Sequence, residues 1–193
     1  MQADAGNGMT RSKFAAVAAE TAGRLMPDVA QVGLWGFARD LRGKADRIEF
    51  QKMDELGAED GKITHRDAVN RDMDAMSTQL GGNGTALYST AVAAMRDMKE
   101  LYDPRAGNSV VLFTDGFNVD PGGPSLRVTV KKIKKLYDPK KPVRLICIGV
   151  GAEADIDALK KLAAAGGGEA FLAKDPGVLP EVLFKVMSRR PTA

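Results

Sequence analysis

The run Ser109-Val-Val-Leu-Phe-Thr-Asp-Gly116 constrains the fold more than any other: an apolar stretch that stops on an aspartate and a glycine. Val110, Val111 and Leu112, with Phe113 behind them, predict a strand buried on both faces, the habit of a parallel sheet. Asp115 then falls at the C-terminal end of that strand, and Gly116 can take the positive φ of a sharp exit. In open α/β sheets the ligand crevice lies outside the carboxyl ends of the strands, so Asp115 marks the place to look for a site.

Helical and strand patterns alternate around this run. Phe14, Val17, Ala18 and Leu25 mark a first helix, capped by Thr10 and stopped before Pro27. Residues 30–37 and 47–53 read as strands joined by a basic turn. Val69, Met73, Met76 and Leu80 set a further helix, with Thr64 and Asp67 shaped like a capping box. The loop Gly81-Gly-Asn-Gly-Thr85 leads into a helix carrying Ala91, Met95, Met98 and Tyr102. After the strand to Thr114 come a basic helix, a strand Val143-Arg-Leu-Ile-Cys-Ile-Gly-Val150, and a helix through Ile156, Leu159 and Ala163. A short strand at 169–173 and a helix through Val178, Val182 and Val186 end the chain. Leu101-Tyr-Asp-Pro-Arg105 returns as Leu136-Tyr-Asp-Pro-Lys140, each ending a helix before a buried strand. The alternation predicts an α/β fold: a three-layer, doubly wound, mostly parallel sheet flanked by helices. Residues 1–193 read as a single domain, a length that supports a real core.

Composition narrows the function classes. No apolar run approaches the roughly 18 residues of a spanning helix, and the N-terminus carries no apolar signal segment. Direct membrane insertion is therefore not expected, and the location is left open. Cys147 is the single cysteine, which excludes an internal disulfide and predicts an inert core thiol. The net charge is only +3, yet Arg127, Lys131, Lys132, Lys134, Lys135, Lys140, Lys141 and Arg144 cluster with Asp138 as the sole acid among them. Leu126, Val130 and Ile133 recur at helical spacing between them, so the cations form the wet face of an amphipathic helix. A solvated face is the first reading and an acidic partner surface the second. Nucleic acid is not expected, for want of a reading motif or an aromatic platform. His65, after Thr64, reads as a surface or capping residue, and Trp35 as core beside Val32, Leu34 and Phe37.

Three segments converge at the top of such a sheet. Asp115 ends a strand; Thr85 sits in a glycine-rich loop at a helix start; Asp4 lies in the glycine-rich Asp4-Ala-Gly-Asn-Gly-Met9. Two carboxylates and a hydroxyl, all oxygen, suit a hard cation such as Mg²⁺ or Mn²⁺. Here the chain resembles the von Willebrand factor type A domains, whose metal-ion-dependent adhesion site combines Asp-x-Ser-x-Ser, a loop threonine and a strand-end aspartate. Gly-Gly-Asn-Gly-Thr-Ala-Leu-Tyr matches the threonine loop at Thr85, and Leu-Phe-Thr-Asp-Gly matches the last aspartate at Asp115. With Val32-Gly-Leu-Trp-Gly-Phe37 and Leu145-Ile-Cys-Ile-Gly-Val-Gly151, the resemblance covers almost the whole chain. Thr-Asp-Gly-Phe-Asn-Val-Asp-Pro-Gly and Gly-Gly-Glu-Ala-Phe-Leu-Ala-Lys-Asp-Pro place it nearest the bacterial branch, among actinobacterial proteins that also carry a solute-binding domain. The resemblance implies a Rossmann-like fold, a Mg²⁺ site at Asp4, Thr85 and Asp115, and a protein partner whose acidic side chain completes the coordination. It also implies relatives outside the cytoplasm or at the cell surface.

Two departures from the family pattern carry weight. Gly6 and Gly8 stand where the family has its two serines, which removes two oxygen ligands and predicts a weakened or lost metal site. Only Met1, Gln2 and Ala3 precede Asp4, where the family runs a central strand, so the chain is expected to lack that strand, as an N-terminal truncation would leave it. Three functions follow in order: a non-enzymatic protein-interaction module, a metal-free scaffold, and a Mg²⁺-dependent hydrolase. The hydrolase ranks last because a haloacid dehalogenase-type site pairs aspartates two residues apart, and Phe113 and Phe117 occupy both such positions around Asp115.

Overall fold

The computed structural model describes residues 20, 23–24, 26–41, 45–80, 84–151, 153–173 and 181. Phe14, Val17, Ala18 and Leu25 of the expected first helix, Val178, Val182 and Val186 of the expected final one, and the segment before Asp4 lie outside these residues, while Glu20, Gly23, Arg24 and Glu181 are helical. The chain divides into two compact units, Met1–Asn83 and Gly84–Ala193.

In the first unit, β1 (Gln31–Leu41) and β2 (Ala45–Glu55) form an antiparallel pair, longer than the alternation predicted. Trp35 stands opposite Glu49 and Phe37 opposite Arg47. The expected core placement of Trp35 gives way to a cross-strand one. Its ring is half-buried, with the Arg47 guanidinium 5.0 Å from the ring centroid and the indole N–H donating to Glu49 Oε1 at 3.4 Å. An indole on a pleated surface gains from a stacked cation as well as from burial.

A tight antiparallel pair, β3 (Glu59–Asp60) and β4 (Ile63–Thr64), turns at Gly61, whose φ is +68°. It delivers the chain into α1 (His65–Gln79) through the capping box that the sequence predicts. The Asp67 N–H donates to Thr64 Oγ1 at 3.2 Å, while the Thr64 N–H donates to Asp67 Oδ2 at 3.0 Å. Those contacts satisfy backbone donors that a helix start leaves open. His65 opens the helix with its Nε2 2.7 Å from the Val32 carbonyl oxygen. Arg66 is the tie of this unit: its guanidinium donates to the Gly23 and Met26 carbonyls and pairs with Asp28 at 2.9 Å.

The second unit is built on a parallel sheet in the order β5 (Asn108–Thr114), β6 (Val143–Val150), β7 (Ala170–Ala173). Three helices join its strands: α2 (Leu87–Glu100) before β5, α3 (Leu126–Leu136) between β5 and β6, and α4 (Ile156–Ala165) between β6 and β7. Helix α3 packs between α2 and α4, and α4 lies on β6 and β7. This is the α/β arrangement of strands, helices and parallel sheet that the sequence predicts.

Strand β6 is buried on both faces from Leu145 to Val150, as a central parallel strand should be. Cys147 lies in the middle of it, and burial pushes its thiol up to about 12. Strand β5 departs from expectation. Leu112 is buried, but Val111 is 37% exposed and Val110 and Phe113 are only half-buried. Val110 pairs with Leu145 and Leu112 with Cys147, on the face where Leu145 meets Ile133 and Gly166. Ser109, Val111 and Phe113 alternate onto the other face, where Val111 is exposed.

Helix α3 divides sharply. Ile133 and Thr129 are fully buried, and the Thr129 hydroxyl is satisfied by donating to the Ser125 carbonyl one turn back at 3.0 Å. Its outer face carries the cations.

Candidate functional site

Asp115 is the first residue past β5, at the carboxyl end of the parallel sheet, where the sequence places it. Its residue is 9% exposed, so a carboxylate is held in a largely enclosed position. Gly116 does not make the left-handed exit expected of it, because the positive-φ glycines among the described residues are Gly61, Gly151 and Gly167. The chain leaves β5 through a softer bend, with the Thr114 hydroxyl 3.4 Å from the Gly116 carbonyl oxygen. A Cβ on Gly116 would meet nothing within 4 Å, so neither conformation nor crowding demands glycine there.

Thr85 comes to the same end of this unit by a specific device. Its N–H donates to the Val119 carbonyl at 3.1 Å, and the Val119 N–H donates back to the Thr85 carbonyl at 3.0 Å. The reciprocal pair fastens the threonine loop to the segment that follows Asp115. Gly84 permits the approach: a Cβ there would collide with the Val119 carbonyl oxygen.

The next tie is one the sequence reading missed. Helix α2 starts after Ala86, which has no side-chain oxygen to cap it. Asn118 supplies the oxygen from the other loop, its Oδ1 accepting the Tyr88 N–H at 3.1 Å. Asn118 thereby replaces an N-cap across two segments. The signal in the sequence is negative, an alanine where a helix start ordinarily carries Ser, Thr, Asp or Asn. Asp120, the other loop polar residue, folds its carboxylate back over Gly123 in its own turn.

Tyr88 and Asp155 border the same region. Burial pushes the Tyr88 phenol up, and the nearby Asp155 carboxylate adds to that shift. Asp155 also caps α4, accepting the Ala158 N–H at 3.0 Å.

Of the three residues expected to hold a metal, the structure therefore places Thr85 and Asp115 on loops bonded to each other in one unit. Asp4, with Gly6 and Gly8, lies outside the described residues. Among the described residues, no group of three or more His, Cys, Asp or Glu side chains is placed to hold a metal ion. A carboxylate and an aliphatic hydroxyl are nonetheless the oxygen donors that a hard cation such as Mg²⁺ takes, so the two described residues fit such an ion.

The model of the von Willebrand factor type A domain matches residues 4–184. No curated protein matches the chain. Among solved structures, a von Willebrand factor type A protein from Catenulispora acidiphila is similar with a TM-score of 0.66 at 19% identity, over 92% of this chain and 38% of that one. Proximal thread matrix protein 1 from the mussel byssus, solved with zinc in its MIDAS motif, is similar with a TM-score of 0.65 at 15% identity, over 92% of this chain and 42% of that one. The chain thus spans about two fifths of the length of these structures. An aerotolerance-related membrane protein from Bacteroides fragilis, solved with multiple mutations to serines, is similar with a TM-score of 0.70 at 15% identity, over 98% of this chain and 94% of that one. At these identities the likeness shows the fold. No helix among the described residues is long and apolar enough to cross a membrane.

Proposed function

The chain belongs to the von Willebrand factor type A domain family, and from that premise we propose that it is a non-enzymatic protein-interaction module with a weakened Mg²⁺ or Mn²⁺ site. The observation that carries this reading is the reciprocal Thr85–Val119 bond pair, which draws the threonine loop to the segment after Asp115. Asp4, Thr85 and Asp115 are the residues that would hold the ion. The ion would supply positive charge for an acidic side chain of a protein partner. Glycine at positions 6 and 8 offers no side-chain oxygen, so water fills those positions and affinity falls. Mg²⁺ retains several waters readily, which is compatible with such a site.

The reading gives no residue a catalytic role. Asp115 has phenylalanine two positions away on either side, which leaves no aspartate pair of the haloacid dehalogenase type. The interaction and adhesion roles typical of von Willebrand factor type A domains, and the zinc in the mussel protein's MIDAS motif, support an interaction site here.

Calorimetric titration of Mg²⁺ and Mn²⁺ into the purified chain tests the reading. We expect weak saturable binding, abolished by Asp115→Ala and strengthened in the Gly6→Ser/Gly8→Ser variant. Absence of heat up to millimolar metal in all three folded proteins overturns the metal site and leaves the metal-free scaffold, which the two glycines also favour.

A further inference from the structure

Helix α3 carries a feature that neither the fold nor the proposed metal site uses. At about 100° per residue, Lys134, Arg127, Lys131, Lys135, Val128 and Lys132 follow one another around roughly 160° of its circumference. Each of the six is exposed, and no acid stands among them. Arg127 and Lys131, and again Lys131 and Lys135, are like charges one turn apart, which destabilises a helix rather than supporting it. None of these cations makes an ion pair with the described residues.

Two other helices pair some of their cations with acids. In α1, Arg66 pairs with Asp28 and Arg71 with Asp72; in α4, Lys160 lies 4.0 Å from Asp157. Beyond the C-terminus of α3 the run continues with Lys140 and Lys141, both exposed. Asp138, the single acid in the sequence from Arg127 to Arg144, bonds within its own turn, where its Oδ1 accepts the Lys140 N–H at 2.9 Å.

We propose that the outer face of α3, extended by Lys140 and Lys141, is a docking surface for an acidic polypeptide segment. Charge complementarity calls for an anionic partner, and three observations select its kind. The cations fan around a convex cylinder about 16 Å long, so a flat bilayer meets only part of them at once, whereas a flexible chain follows the curve. Val128, 44% exposed in the midst of the lysines, offers an apolar contact that a polypeptide's side chains can match. No aromatic ring stands on this face for a base to stack on: Tyr137 is half-buried, its ring against Gly167. The surface requires neither Asp115 nor a metal ion.

The test uses the full chain and a fluorescent polyglutamate peptide, followed by anisotropy at low and at raised salt. Lys131→Glu/Lys135→Glu reverses charge at the centre of the face. Lys52→Glu/Lys62→Glu changes net charge equally in the other unit, at two exposed positions. We expect salt-sensitive binding of polyglutamate that weakens roughly tenfold or more in the α3 variant, as like charge placed against like charge requires, and no more than about twofold in the control. Lys131→Gln/Lys135→Gln gives an intermediate loss and guards against misfolding of the reversal variant. Equal losses in both double variants overturn the proposal, as does absence of binding at low salt. Tighter binding of poly(dT) or of phosphatidylserine vesicles through the same lysines also overturns it, in favour of nucleic acid or membrane.

Discussion

Among the described residues, the unit Met1–Asn83 buries the apolar side chains of Ala38, Leu41, Leu56, Ala68 and Val69, whereas β6 alone, in the other unit, buries Val143, Leu145, Ile146, Cys147, Ile148 and Val150. The described residues of the first unit add directed contacts: the Arg66 tie, the Thr64–Asp67 box, Gln51 Nε2 donating to Asp72 at 2.6 Å, and a cation stacked on Trp35. Burial is non-directional and accumulates with area, while a hydrogen bond yields only a small net gain because water competes for its partners. The loops bearing Thr85 and Asp115 grow from the unit held by burial. The proposed site residues thus sit on loops of the unit built on the buried parallel strand β6.

Truncation at the centre of the apolar unit is the largest blow. Leu145→Ala, at a fully buried position facing Ile133 and Gly166, is expected to lower unfolding stability by about 2–5 kcal/mol, read by urea denaturation. In the polar unit the largest single loss should come from Arg66→Ala, which leaves the Gly23 and Met26 carbonyls and Asp28 without their donor. About 2 kcal/mol is expected, and hydrogen exchange should place the loosening in the 23–28 segment. A loss from Arg66→Ala exceeding that from Leu145→Ala would reverse the comparison.

Smallest is the cap: Thr64→Ala should cost about 1 kcal/mol, measured in the same denaturant series. The cap also has a pH signature. Its side-chain and backbone hydrogen bonds from Thr64 hold the Asp67 carboxyl below its ordinary value of 3.8. A carboxyl depressed by folding stabilises the native state above its unfolded value and loses that contribution as pH falls through the lower folded one. The difference between wild type and Thr64→Ala should therefore persist at neutral pH and shrink only below about pH 3.8.

What the sequence disclosed follows the same division. The apolar run from Val143 to Val150 was legible because burial on both faces leaves no alternation to misread. The Thr64–Asp67 box was legible because its partners lie within one turn of each other. Val111 misled, since an unbroken apolar run says nothing about whether a neighbour covers its second face. Gly116 misled for a related reason: glycine permits a left-handed turn without requiring one. Thr85 and Asp115 were read from their positions at a helix start and a strand end, but Asn118 was not. Its role depends on a contact between residues 30 positions apart, and side-chain capping across two loops leaves no local spacing to detect.

The exchange of hydrogen bonds between Thr85 and Val119, with Asn118 seated on the start of α2, has a thermodynamic consequence for whatever docks nearby. Loops that stiffen only on contact subtract their lost entropy from the affinity of the complex. Here the two segments are already joined as one short ribbon before any partner arrives. Their ordering is charged to folding rather than to association, so a modest contact area can still hold.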